Sequence, residues 1–455
     1  MFDKVYSSMI RKHLLMSKEK KYQNFIYYWD INHLIPFFVK IKWEIWFWFE
    51  NSHRFLILQV FITTEMTMSM RKVGFLYLGR LEKEKGFDLI LNMVEKYEKE
   101  LPFELYVFGK GSRETSLLEL QKKYKQIHFF WRKPLSEVAR YLENIDYCLM
   151  PSLCVETFGL SAVNVLDWGI PVVGFKKWGL MPFIREEYNI ARCEGQSLQE
   201  KFETQIENLI KEYKNQTPDF FSHLSQECKQ TAQRYSKDRR FENFQQMSFD
   251  FKCKKILLVS DFINPIWGIE TYLHEVKTLL MSKGYQVKLF GSHCPSGFWG
   301  VVKKYLWLSL SLLNIFEAYR LKKFVEVEKP DLIWFHSVLR REWRMPISAL
   351  EHIKVPKRMM YHDLGYFHPY PSKVQNPEEV EDLSFTSFIK MAKTKNPFKL
   401  VFVAGKWLSL RLLKKTFNTY IDKHLVPSSF MVPLVKRAIG VSTDKIHTLE
   451  HFIQK

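Results

Sequence analysis

Two cations in the first third of the chain could bind a diphosphate. Arg80 and Lys85 lie five residues apart in the segment GRLEKEKG, where glycines flank a predicted strand-to-helix turn. An arginine binds phosphate oxygens through a bidentate fork and a lysine binds them as a point charge, so the pair could neutralise a diphosphate. Two solvated surface cations would give the same spacing, and this alternative stays open.

The segment that carries these cations has the rhythm of a parallel sheet. Between Gly74 and Gly174 the chain reads, in order, VGFLYLGRLEKEKGFDLIL, FELYVFGKG and YCLMPSLCVETFGLSAVNVLDWGIPVVG. Each apolar run ends in a glycine-bearing turn and precedes a helical pattern, which predicts an α/β fold with strands at Val73–Leu78 and Tyr147–Met150. In such sheets ligands lie at the carboxyl ends of the strands, where helix amino termini present N–H groups to phosphate.

In order and spacing these segments resemble the nucleotide-binding half of the family 4 (group 1) glycosyltransferases, which have two Rossmann-like domains in the GT-B architecture. The resemblance implies that Arg80 and Lys85 contact the phosphates of a nucleotide-sugar donor. It also implies that Glu156, in PSLCVETFGL, is catalytic and contacts the sugar as the first residue of a Glu-x7-Glu motif. The second glutamate of that motif, which binds the ribose, is replaced by Asn164, whose amide can accept and donate hydrogen bonds.

The loop that follows Glu156 is expected to hold phosphate through its main chain. By resemblance, the backbone N–H groups at Phe158, Gly159 and Leu160 belong to the donor site. A surface glutamate that caps a helix amino terminus is the plainer interpretation of Glu156.

A second Rossmann-like unit is predicted to start near Lys254. The run KKILLVSDF gives a strand, and GIETYLHEVKTLLMSKG gives an amphipathic helix. The later runs KPDLIWFHSV, VPKRMMYHDLGYFHP and HLVPSSFM also end in polar residues, and in order they resemble the acceptor-side domain of the same family. The resemblance places His362 near the sugar as a second catalytic residue, and Gly268 and Glu270 in the donor site at the start of the first helix.

The two halves are therefore expected in the reverse of the family's order. Residues 1–70 form an unassigned aromatic-rich leader, 71–252 the nucleotide-sugar-binding domain and 253–455 the acceptor-side domain. The order could reflect a circular permutation, a fusion of the tail of one transferase to the head of another, or two half-enzymes that complete their sites with other chains. We favour the fusion, because the leader matches nothing familiar and the chain stops where the family would enter its nucleotide domain.

Glycine is scarce in this chain and tryptophan is abundant. There are 18 glycines and 13 tryptophans among 455 residues, and together they make up about 7% of the chain, the usual share of glycine alone. Trp131, Trp178 and Trp267 stand where the family has glycine, whereas Trp334 lies inside an apolar strand. We hypothesise that the source reads UGA as glycine and that these positions were translated as tryptophan; ordinary substitution is the alternative.

The length and charge fit a two-domain protein that binds anions. The chain is long enough for two domains of roughly 150–200 residues. Its net charge of +19 suits an anionic donor and an anionic membrane surface, although a solvated lysine-rich surface explains it equally well. Nucleic-acid binding is not expected, because the basic residues are dispersed and no motif of that class is present. The six cysteines lack metal-ligand spacing, so no metal site is expected.

The start of the chain predicts neither a signal peptide nor a membrane-spanning helix. Charged residues interrupt the aromatic-rich segment 35–63, and a spanning helix needs about 20 apolar residues. We expect a cytoplasmic protein in peripheral contact with the inner face of the membrane.

The resemblance implies an enzyme that moves a sugar from a nucleotide-diphosphate donor to a glycan or lipid-linked acceptor in cell-surface polysaccharide synthesis. By resemblance, this transferase retains the anomeric configuration, needs no cofactor or essential metal, and stabilises the departing diphosphate with cations. A sugar phosphorylase shares the architecture, but no motif for its lysine-bound pyridoxal cofactor is found. The contrasting class is a non-catalytic fusion of two half-transferases that binds nucleotide weakly.

Overall fold

The computed structural model describes residues 71–248, 253–264, 268–292, 315–337, 351–368, 371–380, 384–392 and 396–453. The chain separates into two units, Met1–Arg71 and Lys72–Lys455. The described helices and strands all lie in the second unit. The expected leader and Trp267 lie outside the described residues.

The first half of this unit contains a sheet of five parallel strands in the order β3-β2-β1-β4-β5. The strands are β1 Val73–Leu78, β2 Phe103–Phe108, β3 Ile127–Phe129, β4 Tyr147–Met150 and β5 Val172–Gly174. The bounds of β1 and β4 confirm the predicted ones. These strands are almost continuously apolar and buried, because helices cover both faces of a parallel sheet.

Between residues 71 and 248 the chain forms seven α-helices: α1 Phe87–Glu95, α2 Glu114–Lys123, α3 Leu135–Val138, α4 Leu160–Asp167, α5 Leu198–Tyr213, α6 Pro218–Gln233 and α7 Lys237–Ser248. Helix α1 buries Phe87, Ile90, Leu91 and Val94, the spacing of one helical face. Helix α5 starts with a capping box between Ser197 and Glu200.

The described residues of the second half form six parallel strands in the order β11-β10-β9-β8-β6-β7. They are β6 Lys255–Phe262, β7 Gln286–Ser292, β8 Leu332–Ser337, β9 Lys357–Met360, β10 Lys423–Val426 and β11 Ile446–Thr448. The helices of this half are α8 Gly268–Ser282, α9 Ile315–Glu328, α10 Phe385–Ala392, α11 Pro397–Tyr420 and α12 Met431–Ile439. Two parallel sheets flanked by helices confirm the expected α/β fold with two Rossmann-like units.

The two halves contribute side chains to each other's cores. Val155, which follows β4, packs in the apolar core of the second sheet. Ile453, near the end of the chain, packs in the core of the first sheet, and its N–H donates to the carbonyl oxygen of Tyr235 at 3.0 Å. Helix α7 also lies against the second sheet, because the Phe244 ring stacks on Trp334 with centroids 4.8 Å apart.

Two tryptophans adopt a backbone conformation that ordinarily favours glycine. The φ angles of Trp131 and Trp178 are 50° and 52°. The left-handed region is uncommon for any residue with a Cβ and is an outlier for bulky ones.

Candidate active site between the two sheets

A lysine–glutamate pair lies at the carboxyl ends of two neighbouring strands. Lys85 ends a short turn after β1, and Glu156 lies in the loop after β4. The Lys85 ammonium Nζ is 2.5 Å from Glu156 Oε1, and the Ser152 hydroxyl donates to the same oxygen at 2.9 Å. The two charged side chains keep about a fifth of their surface exposed, at 21% and 18%. The pair is therefore partly accessible to solvent at this edge and is not sealed inside the core.

Each charge of the pair stabilises the other. Burial alone would raise the pKa of the Glu156 carboxyl, but the Lys85 ammonium and the hydrogen bond from Ser152 hold that pKa below its ordinary value. Burial alone would lower the pKa of Lys85, and the Glu156 carboxylate more than reverses this effect, so the pKa is raised. Both groups are ionised at neutral pH. An ammonium has three donors and a carboxylate about four acceptor sites, so each can also bind a ligand.

Main-chain contacts hold the two loops together. The N–H groups of Leu153 and Cys154 donate to the carbonyl oxygen of Glu84 at 3.0 and 2.9 Å. Gly86 follows with a φ of 71°, and a Cβ built there would lie 1.9 Å from the carbonyl oxygen of Pro151. Only glycine allows this approach, which places Lys85 against the Glu156 loop.

Arg80 lies at the rim of the same edge. Its side chain is 51% exposed and its Nη1 is 3.3 Å from Glu84 Oε1, in a surface ion pair. Its charge nevertheless contributes to the lowered pKa of Glu156. The structure thus brings Lys85 into contact with Glu156 and leaves Arg80 exposed beside them.

Loops from the second sheet contact the Glu156 loop directly. The Thr157 hydroxyl donates to the carbonyl oxygen of His362 at 2.7 Å, and the Ser428 hydroxyl donates to the carbonyl oxygen of Thr157 at 2.6 Å. The Val155 N–H donates to the carbonyl oxygen of Val374 at 2.8 Å. His362 and Ser428 follow the carboxyl ends of β9 and β10, so the carboxyl ends of both sheets meet here.

His362 is the centre of a stack of three histidines. Its Nε2 lies 3.0 Å from His336 Nδ1, and its Nδ1 lies 3.4 Å from His451 Nε2. The rings are nearly parallel, at 20° and 18°, and the His362 residue is 5% exposed. The structure therefore presents the main chain of His362 to the Glu156 loop, while both ring nitrogens face other histidines.

The outer two histidines of this stack are neutral. Burial lowers the pKa of His336 to about 3, and burial together with the charges of neighbouring groups lowers the pKa of His451 to about 3. Sequence reasoning missed both residues. Each lies at or just after the carboxyl end of a strand, β8 and β11, a position that could have indicated them, whereas His362 was predicted from the family resemblance.

The remaining residues expected after Glu156 lie in and around the start of α4. Gly159 precedes the helix with a φ of 96°, and a Cβ there would meet Leu180 Cδ2 at 2.7 Å. Leu160 opens the helix and is partly buried. The Phe158 ring is in edge contact with Phe183, Tyr235 and His451, and is 4% exposed. Asn164 lies inside the helix and is 3% exposed.

The two residues expected at the first helix of the second half differ in environment. Gly268 begins α8 and is exposed, with open space where a Cβ would lie. Glu270, in the same turn, is fully buried. The structure thus places one residue at the surface and the other in the interior.

Within the described residues, no cluster of three or more His, Cys, Asp or Glu side chains is arranged to hold a metal ion. None of the described helices is long and apolar enough to cross a membrane.

Solved structures that resemble part of this chain include two sugar transferases. One is the pneumococcal O-GlcNAc transferase GtfA in complex with UDP and GlcNAc, with 19% identity and a TM-score of 0.31 over 39% of this chain and 35% of that one. Another is the catalytic domain of cholesterol-alpha-glucosyltransferase from Helicobacter pylori, with 17% identity and a TM-score of 0.28 over 36% of this chain and 100% of that one.

Two sequence comparisons match part of the chain. A Klebsiella pneumoniae protein described as "Uncharacterized 41.2 kDa protein in cps region" is 32% identical over 110 residues, which is 24% of this chain and 29% of that protein. The chain therefore spans less than a third of the length of this relative. The family model described as "Glycosyl transferases group 1" matches residues 68–231, which include the first sheet and the Lys85–Glu156 pair. The predicted resemblance to group 1 glycosyltransferases is therefore confirmed for residues 68–231.

Proposed function

We propose that this protein is a family 4 glycosyltransferase that moves a sugar, with retained anomeric configuration, from a nucleotide-diphosphate donor to a glycan or lipid-linked acceptor. The observation that carries the proposal is the ionised Lys85–Glu156 pair at the edge of the first sheet, inside the region that matches group 1 glycosyl transferases. The relative from a cps region supports a role in cell-surface polysaccharide synthesis.

The proposed roles follow from the charges at this edge. Lys85 and Arg80 would contact the donor diphosphate, because cations stabilise the negative charge that develops on the diphosphate as its bond to the sugar breaks. Glu156 would accept hydrogen bonds from the sugar hydroxyls, and the main chain from Phe158 to Leu160 would supply N–H groups at the start of α4. The nucleoside diphosphate of the donor is the leaving group, the sugar passes to the acceptor, and we propose no cofactor or metal.

We also propose that residues 71–252 are the nucleotide-sugar-binding domain and that 253–455 are the acceptor-side domain, in the reverse of the family order. The hydrogen bonds of Thr157 to the His362 and Ser428 loops support a joint site, because they connect the carboxyl end of the first sheet to the carboxyl end of the second. Gly268 and Glu270 would border this site from α8.

A cytoplasmic protein at the inner face of the membrane would meet lipid-linked acceptors. The net charge of +19 supports attraction to an anionic surface. If this proposal holds, moderate salt will release the protein from a membrane fraction, because salt screens such attraction.

Titration calorimetry with UDP, ADP and GDP tests the donor site. We expect the preferred diphosphate to bind with a dissociation constant between micromolar and millimolar, about −8 to −4 kcal/mol. Lys85→Ala and Arg80→Ala should each weaken binding by about 1.5–3 kcal/mol, the contribution of a hydrogen bond to a charged group. Lys133→Ala is the matched control, because Lys133 is 43% exposed and pairs with Glu137 on the surface. Equal binding by all three variants would rule out the phosphate assignment.

A further inference from the structure

We propose that positions 131 and 178 are glycine in the native protein, and that the tryptophans printed there stand for a UGA codon that the source reads as glycine. Trp131 and Trp178 have φ angles of 50° and 52°. In this left-handed region the Cβ of an L-residue crowds the following carbonyl oxygen, and glycine enters it without that penalty.

The distribution of left-handed residues is the first argument. Among the described residues, the non-glycine positions with positive φ are Trp131, Trp178 and Lys329. Asparagine, aspartate and histidine are the types ordinarily enriched there, and none of them contributes. Two of the five described tryptophans are left-handed, whereas all other non-glycine types together contribute one residue. Chance substitution would not concentrate this conformation on a rare, bulky residue type.

The surroundings of the Trp131 indole are the second argument. Trp131 is 46% exposed, although its carbonyl oxygen is fixed by the Gly109 N–H at 3.0 Å. Its main chain is therefore held in a defined conformation while its ring is half in solvent. Trp334 shows the opposite pattern: it is 2% exposed in β8 and stacks on Phe244. The Trp334 ring is part of the core, whereas the Trp131 ring contacts the Phe129 ring at 4.7 Å and remains half in solvent.

The composition agrees with this interpretation. The chain has 18 glycines, about 4% of its residues against an ordinary share of about 7%, and it has 13 tryptophans. A codon read as glycine but written as tryptophan removes glycines and adds tryptophans in this way. At Trp131 and Trp178 the left-handed φ angles are the backbone evidence for this exchange.

A glycine at 178 would change the candidate site. Position 178 precedes Gly179, whose N–H donates to the carbonyl oxygen of Glu156 at 2.9 Å. The Trp178 ring packs against the core of the second sheet and lies under the Lys177 ammonium, 4.0 Å from it. Two consecutive glycines would leave the junction beside the Glu156 loop open to a ligand. This consequence, unlike the residue identity, rests on the proposed function.

Peptide mass spectrometry of the protein from its own cells decides the identity directly. We expect the peptides that span 131 and 178 to carry the mass of glycine, and the peptide that spans Trp334 to carry the mass of tryptophan. The same measurement identifies the residue at position 267. A tryptophan mass at 131 or 178 overturns the proposal for that position, whatever the protein binds.

Paired variants of the recombinant chain test the conformational argument. Trp131→Gly and Trp131→Ala remove the same indole and differ only by a Cβ, so the glycine variant should have the higher melting midpoint, by about 2–4 °C. The same order is expected at Trp178. Trp168 is the control, because its φ is −75° at a helix end, so alanine should be the more stable replacement there. Alanine above glycine at all three positions would contradict a requirement for glycine.

Diphosphate binding separates the site consequence from the identity. If the Trp178 indole obstructs the space beside the Glu156 loop, Trp178→Gly should bind UDP, ADP or GDP more tightly than the tryptophan chain does. Trp131→Gly should not bind them more tightly. If Trp178→Gly and Trp131→Gly bound the diphosphate equally well, the Trp178 indole would not obstruct binding. The mass measurement would still decide the residue identity.

Discussion

Gly86 determines how closely Lys85 approaches Glu156. Its left-handed φ of 71° turns the chain from the Lys85 turn into α1, and the carbonyl oxygen of Pro151 occupies the place of a Cβ. The contact sets the distance between the loops after β1 and β4. The absence of a side chain at Gly86 thus allows the two loops to approach closely enough for Lys85 to contact Glu156.

Gly86→Ala is expected to lower the free energy of unfolding by about 1–3 kcal/mol, the range for a non-glycine residue forced into the left-handed region. It should also weaken diphosphate binding, because the loop after β4 must move away from Lys85. Denaturant unfolding and calorimetry measure the two effects.

Gly268→Ala is the control for that variant. A Cβ at Gly268 meets nothing within 4 Å, so its stability should stay within about 0.5 kcal/mol of the parent. If the two alanine variants were equally stable, the close contact at Gly86 would not be what positions Lys85.

Residue patterns predict only part of the candidate site. Lys85 and Glu156 were identifiable because each follows a strand in a parallel sheet, where ligand-binding residues gather. Their direct contact was not, because it depends on loop geometry that one sequence does not display. Asn164 was expected to face the ribose on the strength of a motif, and the structure places it in a helix with 3% exposure.

At the scale of elements, three strands of the second sheet end in the histidine stack. His336 lies in β8, while His362 and His451 follow β9 and β11. His336 Nε2 and His451 Nδ1 are buried without a hydrogen-bond partner among the described atoms. Protonation would place charge in this apolar layer, so the stack is stable only while its outer rings stay neutral.

The histidine stack predicts that the free energy of unfolding decreases as the pH is lowered. An unfolded histidine has a pKa near 6.5, whereas His336 and His451 have folded-state values of about 3. Between these values the unfolded chain binds protons that the folded chain does not. The free energy of unfolding should therefore decrease from pH 7 towards pH 3, by up to about 1.4 kcal/mol per pH unit for each histidine.

Unfolding measured across this pH range with His451→Gln tests the assignment. The variant should show a shallower decrease than the parent, because one titrating group is removed. His223→Gln should match the parent, since the His223 side chain is 74% exposed. An unchanged slope in His451→Gln would mean that the stack does not cause the acid sensitivity.

The bounds of single strands were easier to predict from the sequence than the way in which the strands pack together. The strands β1 and β4 were located to the residue, because each is a short apolar run between turn signals. The order of strands within each sheet and the stacking of three histidines depend on crossover connections and tertiary packing, which local patterns do not specify.

At the scale of the whole molecule, the described unit from Lys72 to Lys455 joins the two halves through shared core residues and polar contacts. Val155 and Ile453 each lie in the core of the opposite sheet. The buried Arg240 guanidinium forms an ion pair with Glu450, which adds a link between α7 and the segment after β11. These contacts favour one joint site over two independent half-sites, because each half buries surface that it would otherwise expose.

Transfer of radiolabelled sugar from nucleotide sugars to a membrane extract tests the central claim most directly. The proposed function predicts transfer by the parent chain and by Lys133→Ala, and none above background by Glu156→Ala. His362→Ala should also lose transfer, because its ring stack holds the main-chain carbonyl that accepts from Thr157 beside Glu156, and both halves must contribute to the reaction. Diphosphate binding by His362→Ala should persist, which would show that the variant is folded. If the parent and its Trp131→Gly/Trp178→Gly form bound diphosphate but transferred no sugar to any acceptor in the extract, the chain would be a non-catalytic pair of half-transferases, and the account of a joint active site would be wrong.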